Sequence, residues 1–174
     1  MDSKVEILMN RGGNEILASQ ALMKISNNKE LKTELNFPFD TSFYSSVISH
    51  SYYAIFYSAK AYLISKGFNF SEQGQHQQVY YRFKKLAKEG IINEDLLKIY
   101  EDVKDKADVL LGILETEKDK RTEFTYTTIP QANKMPAEDS LKNAIFFISH
   151  IKALINIDIA EEKEENEKEE IKKK

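Results

Sequence analysis

The side chains in this sequence that could carry out chemistry are histidines, arginines, tyrosines and lysines. The chain has 174 residues with three histidines and no cysteine, which excludes thiolate zinc sites, iron–sulfur clusters and cysteine nucleophiles. A di-iron bundle needs a Glu three residues before a ligating His, and none of His50, His76 and His150 has one. The zinc motif His-Glu-x-x-His, the Gly-x-Ser-x-Gly elbow, the P-loop and the Gly-x-Gly-x-x-Gly loop are also missing. We therefore expect no metal and no other cofactor, so any chemistry must rest on residues that line a groove.

The charge distribution allows a phosphate-binding surface only locally. The net charge of the chain is −3, whereas proteins that wrap duplex nucleic acid usually carry a strong basic excess. Residues 60–90 are different, because they contain six Lys or Arg and two Glu. This segment is either a small phosphate-facing patch or a solvated helix face.

The elements that must position these residues are helices. Glycine and proline are scarce, and the apolar residues recur at helical spacing, so we expect an all-α fold. Short connections favour antiparallel neighbours, which gives an up-and-down bundle of four to five helices. The predicted helices cover residues 3–26, 41–66, 72–89, 93–117 and a last segment that begins at Pro136.

Three segments depart from the regular helical pattern: a pair of glycines, a connection and a charged C-terminal stretch. Gly12 and Gly13 lie inside the first predicted helix, where we expect a kink or close packing. Residues 27–40 are predicted to be a connection, with Pro38 as the breaker. We expect one helical domain over residues 1–160, followed by a charged, disordered tail over residues 161–174.

The predicted helix over residues 41–66 is apolar on nearly all sides, which is typical of a helix buried among several partners. Gly67 follows it and is a plausible glycine at the helix C-terminus. No stretch of the chain approaches the roughly 18 consecutive apolar residues of a membrane span. The N-terminal residues show no signal-peptide pattern, and we expect a cytoplasmic protein without membrane contact.

The string from Ser49 to Leu63, SHSYYAIFYSAKAYL, resembles the signature helix of HEPN (higher eukaryote and prokaryote nucleotide-binding) domains. In that family the helix typically reads Ser-Arg-x-Tyr-Tyr-Ala-x-Phe-x-Ala-Ala-Lys-Ala-Leu-Leu. Further family landmarks follow in order, namely Gly67, His76, Phe83, Gly90, and the pair Arg121 and Tyr126. The resemblance covers about residues 4–158 and is to the small, stand-alone prokaryotic type. It implies the same helical bundle.

The departures from the family pattern bear on catalysis. HEPN ribonucleases carry Arg-x4–6-His, in which the Arg stabilises phosphate and the His performs acid–base cleavage. None of Arg11, Arg82 and Arg121 has a His at the required spacing, and Tyr126 stands where the His would follow Arg121. A phenol with a pKa near ~10 is a poor proton shuttle at neutral pH. The resemblance therefore implies the fold without the ribonuclease, and we expect no enzymatic activity.

Six residues are candidates for a groove that binds nucleotide or RNA or that is modified: Arg121, Tyr126, His76, His50, Tyr53 and Lys60. Arg121 could clamp a phosphate or complement a helix C-terminus, and the hydroxyl of Tyr126 could accept a nucleotidyl group. His76 stands where the family has a His, and it could face the groove or bond to a neighbouring carbonyl.

The remaining candidates also have structural interpretations. His50 replaces the Arg of the family signature. We interpret it first as a hydrogen-bonded packing residue and second as a residue of the groove. Tyr53 is interpreted as a core aromatic residue first and as a platform for base stacking second. Lys60 belongs both to the signature helix and to the basic segment.

Three hypotheses for function remain at this point. In the first, the chain is a HEPN-like nucleotide- or RNA-binding interaction module, which forms a homodimer and pairs with a minimal nucleotidyltransferase in a toxin–antitoxin or defence-type pair. The apolar surface of residues 41–66 and 93–117 and the habit of the family both favour a homodimer. In the second, it is a metal-independent ribonuclease that uses a non-standard pair such as Arg121 with His76. In the third, it is a purely structural dimeric bundle.

Overall fold

The computed structural model describes residues 3–119 and 134–172, and every regular element in these ranges is an α-helix. The prediction of an all-α bundle is therefore confirmed. The helices are α1 (Ser3–Asn27), α2 (Lys29–Glu34), α3 (Tyr44–Ser65), α4 (Gln75–Lys88), α5 (Glu94–Asp119) and α6 (Lys134–Lys172).

Helix α3 is the centre of the bundle, because it packs against α1, α4, α5 and α6. Its inward faces are buried along its whole length, as its apolar character predicts. Buried serines allow the helices to approach each other closely here, and their hydroxyl groups are hydrogen-bonded. The Ser58 hydroxyl donates to the carbonyl of Ala54 at 2.8 Å, and the Ser19 hydroxyl of α1 donates to the carbonyl of Val47 at 3.2 Å.

The segment predicted to be only a connection contains the short helix α2. Asn28 caps this helix, because its side-chain oxygen accepts a hydrogen bond from the Leu31 amide at 2.9 Å. The buried Lys32 ammonium donates to the carbonyl of Phe39 at 3.1 Å, which ties α2 to the loop that follows. A six-residue helix is too short to show an apolar period, so the sequence pattern missed it.

Helix α6 extends to Lys172 and so includes most of the segment predicted to be a charged tail. The division of the chain at residue 160 stays a prediction. Of the helices in the described ranges, none combines the length and apolar character needed to cross a membrane.

Helix α1 runs through Gly12 and Gly13 without a break, and the two glycines have different surroundings. A Cβ on Gly12 would lie 3.2 Å from the carbonyl oxygen of Ala54 and 3.5 Å from Cδ1 of Ile148. A Cβ on Gly13 would meet nothing within 4 Å. Close packing against α3, rather than a kink, therefore explains Gly12.

We expect Gly13→Ala to stabilise the fold and Gly12→Ala to give no such gain. Alanine is favoured over glycine in a helix interior by about 1 kcal/mol, and at Gly12 the contact with a backbone oxygen offsets this gain. The measurement is the free energy of unfolding in urea for both variants. Equal stabilisation by both substitutions would contradict the close approach of α1 to α3.

Candidate functional site

One stripe of α3 remains uncovered by the other helices. His50, Tyr53, Tyr57 and Lys60 follow each other at intervals of three and four residues, so they lie on one side of the helix. All four side chains are partly or fully exposed, with Tyr53 36% exposed, whereas most of α3 is buried. The Tyr53 and Tyr57 rings stack at an interplanar angle of 26°. The structure thus places Tyr53 at the surface rather than in the core.

Arg11 of α1 lies against this stripe. Its guanidinium carbon is 4.5 Å from the ring centroid of Tyr57, which is the geometry of a cation–π contact. The side chain is exposed, and within residues 3–119 and 134–172 no carboxylate forms an ion pair with it. The sequence pattern does not single out Arg11 for this site, because only the packing of α1 beside α3 brings it to this surface.

Lys60 lies at the C-terminal end of the stripe, beside the N-terminus of α4. Its ammonium donates to the Gln75 side-chain oxygen at 2.6 Å, which directs it across the gap between α3 and α4. Partial burial lowers the pKa of Lys60, and the positive charge of Arg11 lowers it further. The two cations therefore share one surface of the bundle, with Arg11 over the Tyr57 ring and Lys60 one turn further along α3.

His76 sits in the first turn of α4 against an aromatic wall of α3. Its ring stacks on Phe56 with 4.0 Å between centroids, and its Nδ1 is hydrogen-bonded to the Tyr52 hydroxyl at 2.8 Å. Burial raises the pKa of Tyr52, so this hydroxyl keeps its proton and can donate it to Nδ1. Such a bond leaves Nε2 to carry the hydrogen of the neutral ring.

The protonation of His76 depends on charges from two helices. Burial lowers its pKa below the ordinary value, and the Lys60 charge lowers it again. Asp108 of α5 acts in the opposite direction, although its carboxylate also accepts a hydrogen bond from Lys104. Since the net shift is downward, His76 is neutral at pH 7.

Together, Arg11, Tyr53, Tyr57, Lys60 and His76 form what we call the cationic–aromatic cluster. The Tyr53 ring links its two halves, because it lies 5.8 Å from the His76 ring and stacks on Tyr57. Two cations beside exposed aromatic rings can bind an anion and stack a flat group next to it. Three of the six predicted site residues, His76, Tyr53 and Lys60, meet here.

The other predicted site residues lie elsewhere or cannot be placed. His50 continues the stripe, but its Nδ1 is hydrogen-bonded to Glu15 Oε2 of α1 at 2.5 Å, so its partner is a carboxylate. Arg121 and Tyr126 lie outside the described residues, and the pairing of Arg121 with His76 stays a prediction. Across the described part of the chain, no three His, Asp or Glu residues are grouped as metal ligands would be.

Comparison with known proteins gives one match. The model of the HEPN domain family matches residues 28–154, which include α2 to α5 and most of the apolar part of α6. No curated protein and no solved structure matches the chain. Lys60, Tyr53 and His76 lie inside the matched range, whereas Arg11 precedes it. Since the match covers more than half of the chain and agrees with its all-helical bundle, this protein belongs to the HEPN domain family.

Proposed function

We propose that this chain is a nucleotide- or RNA-binding module and that the cationic–aromatic cluster is where it holds phosphate. The observation that carries the proposal is that Arg11 lies over the Tyr57 ring and Lys60 lies on the same side of α3, beside two stacked, partly exposed tyrosines. Membership of the HEPN family supports the same class of ligand. The near-neutral charge of the chain as a whole favours a local site over a surface that wraps a duplex.

The electrostatics of the cluster favour an anion. In the described part of the chain, neither Arg11 nor Lys60 forms an ion pair with a carboxylate. Partial burial and, to a lesser extent, the positive charge of Arg11 lower the pKa of Lys60 and so disfavour its charged form. A bound phosphate would offset this effect and accept hydrogen bonds from both side chains. Bases next to that phosphate could stack on Tyr53 and Tyr57.

The test is the titration of His76 by NMR, with and without a short single-stranded RNA. In the free protein the pKa of His76 lies below its ordinary value because of burial and Lys60. A phosphate in the cluster would favour the charged imidazolium, so the pKa should rise when RNA is bound. By linkage, RNA should then bind more tightly as the pH falls from 7.5 towards 5.5.

His150 serves as the control in this titration, because it is exposed on α6 and hydrogen-bonded to the carbonyl of Phe146. Its ring resonances should stay in place when RNA is added at constant pH. An unchanged pKa of His76 at saturating RNA, or equal shifts of both histidines, would contradict the proposed site.

The family also supports proposals about assembly. We propose a homodimer that pairs with a minimal nucleotidyltransferase in a toxin–antitoxin or defence-type system, as the resemblance to HEPN domains implies. Most apolar side chains of α3 are buried inside the bundle. They are therefore not available for a dimer interface, although the apolar pattern of residues 41–66 predicts one there. Large apolar side chains are exposed instead on α1 and α6, at Ile7, Leu17 and Phe146.

Sedimentation would give the oligomeric state, and mass spectrometry after co-expression would detect a nucleotide attached to Tyr126. The cytoplasmic location stays a prediction from the sequence.

A second candidate function is metal-independent RNA cleavage, and the position of His76 favours it. In the alternative tautomer, in which Nδ1–H donates to the Tyr52 oxygen, Nε2 carries no hydrogen and the ring would have the form of a general base close to Lys60. Its cationic neighbours could stabilise the charge that develops on phosphate. No arginine of the chain has the Arg-x4–6-His spacing, however.

We expect purified protein to leave RNA intact in a digestion assay without metal ions. General acid–base catalysis needs one group to remove a proton and another to return it, and each is typically worth about 10²–10⁴-fold. The assay compares the wild type with His76→Ala, Arg11→Gln and Arg121→Ala. Cleavage by the wild type that is lost in His76→Ala and in either Arg variant would establish the ribonuclease instead.

A further inference from the structure

A pocket of about 560 Å³ opens beside the cationic–aromatic cluster. It lies between the first turns of α1, the last turns of α3 and the segment 67–70 that follows α3. Its apolar walls are Ile7, Ile64, Phe68 and Phe70. This volume lies within the range of about 300–1,000 Å³ that is usual for small-molecule sites in proteins.

Lys60 belongs to both the pocket and the cluster. It lines the pocket, while its ammonium bonds to Gln75 and responds to the charge of Arg11. The cationic end of the site is thus separated from the apolar pocket by the length of one side chain. A ligand that fills both must have an anionic group attached to an apolar or aromatic body of similar reach.

Phe68 and Phe70, the two aromatic residues of the pocket wall, are held in place by Arg82 and by the turn at Gly67. The guanidinium carbon of Arg82 in α4 lies 5.2 Å from the ring centroids of both Phe68 and Phe70. Gly67 adopts a φ of 82°, which lets the chain turn back so that the Phe68 amide donates to the carbonyl of Leu63 at 3.0 Å. Both rings are partly buried. They form a fixed surface on which a flat ring can stack.

We propose that the pocket holds the base of a nucleotide whose phosphate is bound by Lys60 and Arg11. This inference rests on the proposed function, and it specifies the ligand as one nucleotide unit whose base lies in the pocket. A strand that only crosses the tyrosines would leave the pocket unused. The nucleotide can be free or can be a residue of an RNA strand, because both present a base and a phosphate.

The experiment measures the affinities of adenosine 5′-monophosphate, inorganic pyrophosphate and a 5′-phosphorylated oligoadenylate for the full chain. Loss of one stacked base contact costs about 5- to 150-fold in affinity. We therefore expect Phe70→Ala to weaken binding of the monophosphate at least fivefold and to leave pyrophosphate binding within about twofold. Phe39→Ala is the matched control, because Phe39 is 67% exposed and does not line the pocket.

A second measurement uses the wild type and does not depend on how a variant folds. The methyl resonances of Ile7 and Ile64 should shift when the monophosphate is added, because of the ring current of the base. They should not shift with pyrophosphate. The methyl resonances of Ile91, which is exposed just after the C-terminus of α4, should not shift with either ligand.

The outcomes separate this inference from the proposed function. Weaker monophosphate binding in Phe70→Ala supports a free nucleotide, and weaker binding of the oligoadenylate alone supports a nucleotide within RNA. Unchanged affinities in Phe70→Ala together with unshifted Ile7 and Ile64 methyls would overturn the pocket. If Arg11→Gln also leaves pyrophosphate and RNA binding unchanged, the proposed phosphate site is wrong as well.

Discussion

Replacing Arg11 by Gln and Lys60 by Met in one chain is expected to weaken the binding of single-stranded RNA by about 10- to 100-fold near 0.1 M salt. Each lost charge-assisted hydrogen bond at such a partly exposed site is worth about 1 kcal/mol or slightly more. The loss should shrink as salt is added, because the wild type depends on phosphate contacts that the variant lacks. Fluorescence anisotropy at several salt concentrations measures both effects.

The matched control removes two positive charges elsewhere. Lys85 and Lys98 are exposed and form ion pairs with Glu89 and Asp95 on α4 and α5. Replacing both by Met changes the net charge of the chain by the same amount as the Arg11 and Lys60 double variant. We expect RNA affinity to stay within about threefold in this control, because both lysines lie outside the cluster and each already has a carboxylate partner. Similar losses in both double variants would mean that RNA responds to net charge and not to the cluster.

Replacing Phe83 by Ala is expected to lower the free energy of unfolding by about 3–5 kcal/mol, which is the usual cost of truncating a buried aromatic side chain. Phe83 is fully buried, and its ring lies 5.6 Å from that of Tyr100 and 5.4 Å from that of Phe147. It therefore joins α4 to α5 and α6. Denaturation in urea, followed by circular dichroism, measures the change.

Tyr81 provides the comparison on the same helix. Its side chain is 65% exposed, so Tyr81→Ala should change the free energy of unfolding by about 0.5 kcal/mol or less. A loss in Phe83→Ala no larger than that in Tyr81→Ala would contradict the packing of α4 against the core. Because α4 carries His76, Phe83→Ala should also weaken RNA binding at temperatures where part of the protein is unfolded.

The cationic–aromatic cluster shows which residues of a candidate site a sequence pattern can identify. His76, Tyr53 and Lys60 were predicted because they lie in or near the signature helix, and the structure brings them together. The separate pairing of His50 with Glu15 was not predicted, since the two residues are 35 positions apart. Arg11 had no signal of its own, because a single arginine in an amphipathic helix is ordinarily a solvated residue.

The sequence by itself determined the helical class, the central position of α3, the C-terminal ends of α3 and α4, and the family, whereas the two helices begin three residues later than predicted. These features depend on local spacing, on apolar residues around a whole helix, and on Gly67 and Gly90 at positive φ. Only the tertiary structure decided that α1 stays continuous at Gly12, that Arg11 lies over the Tyr57 ring, and that Lys60 bonds to Gln75 at the edge of a pocket. The physical reason is that these contacts depend on how neighbouring helices are aligned and rotated, and the close packing of side chains sets both.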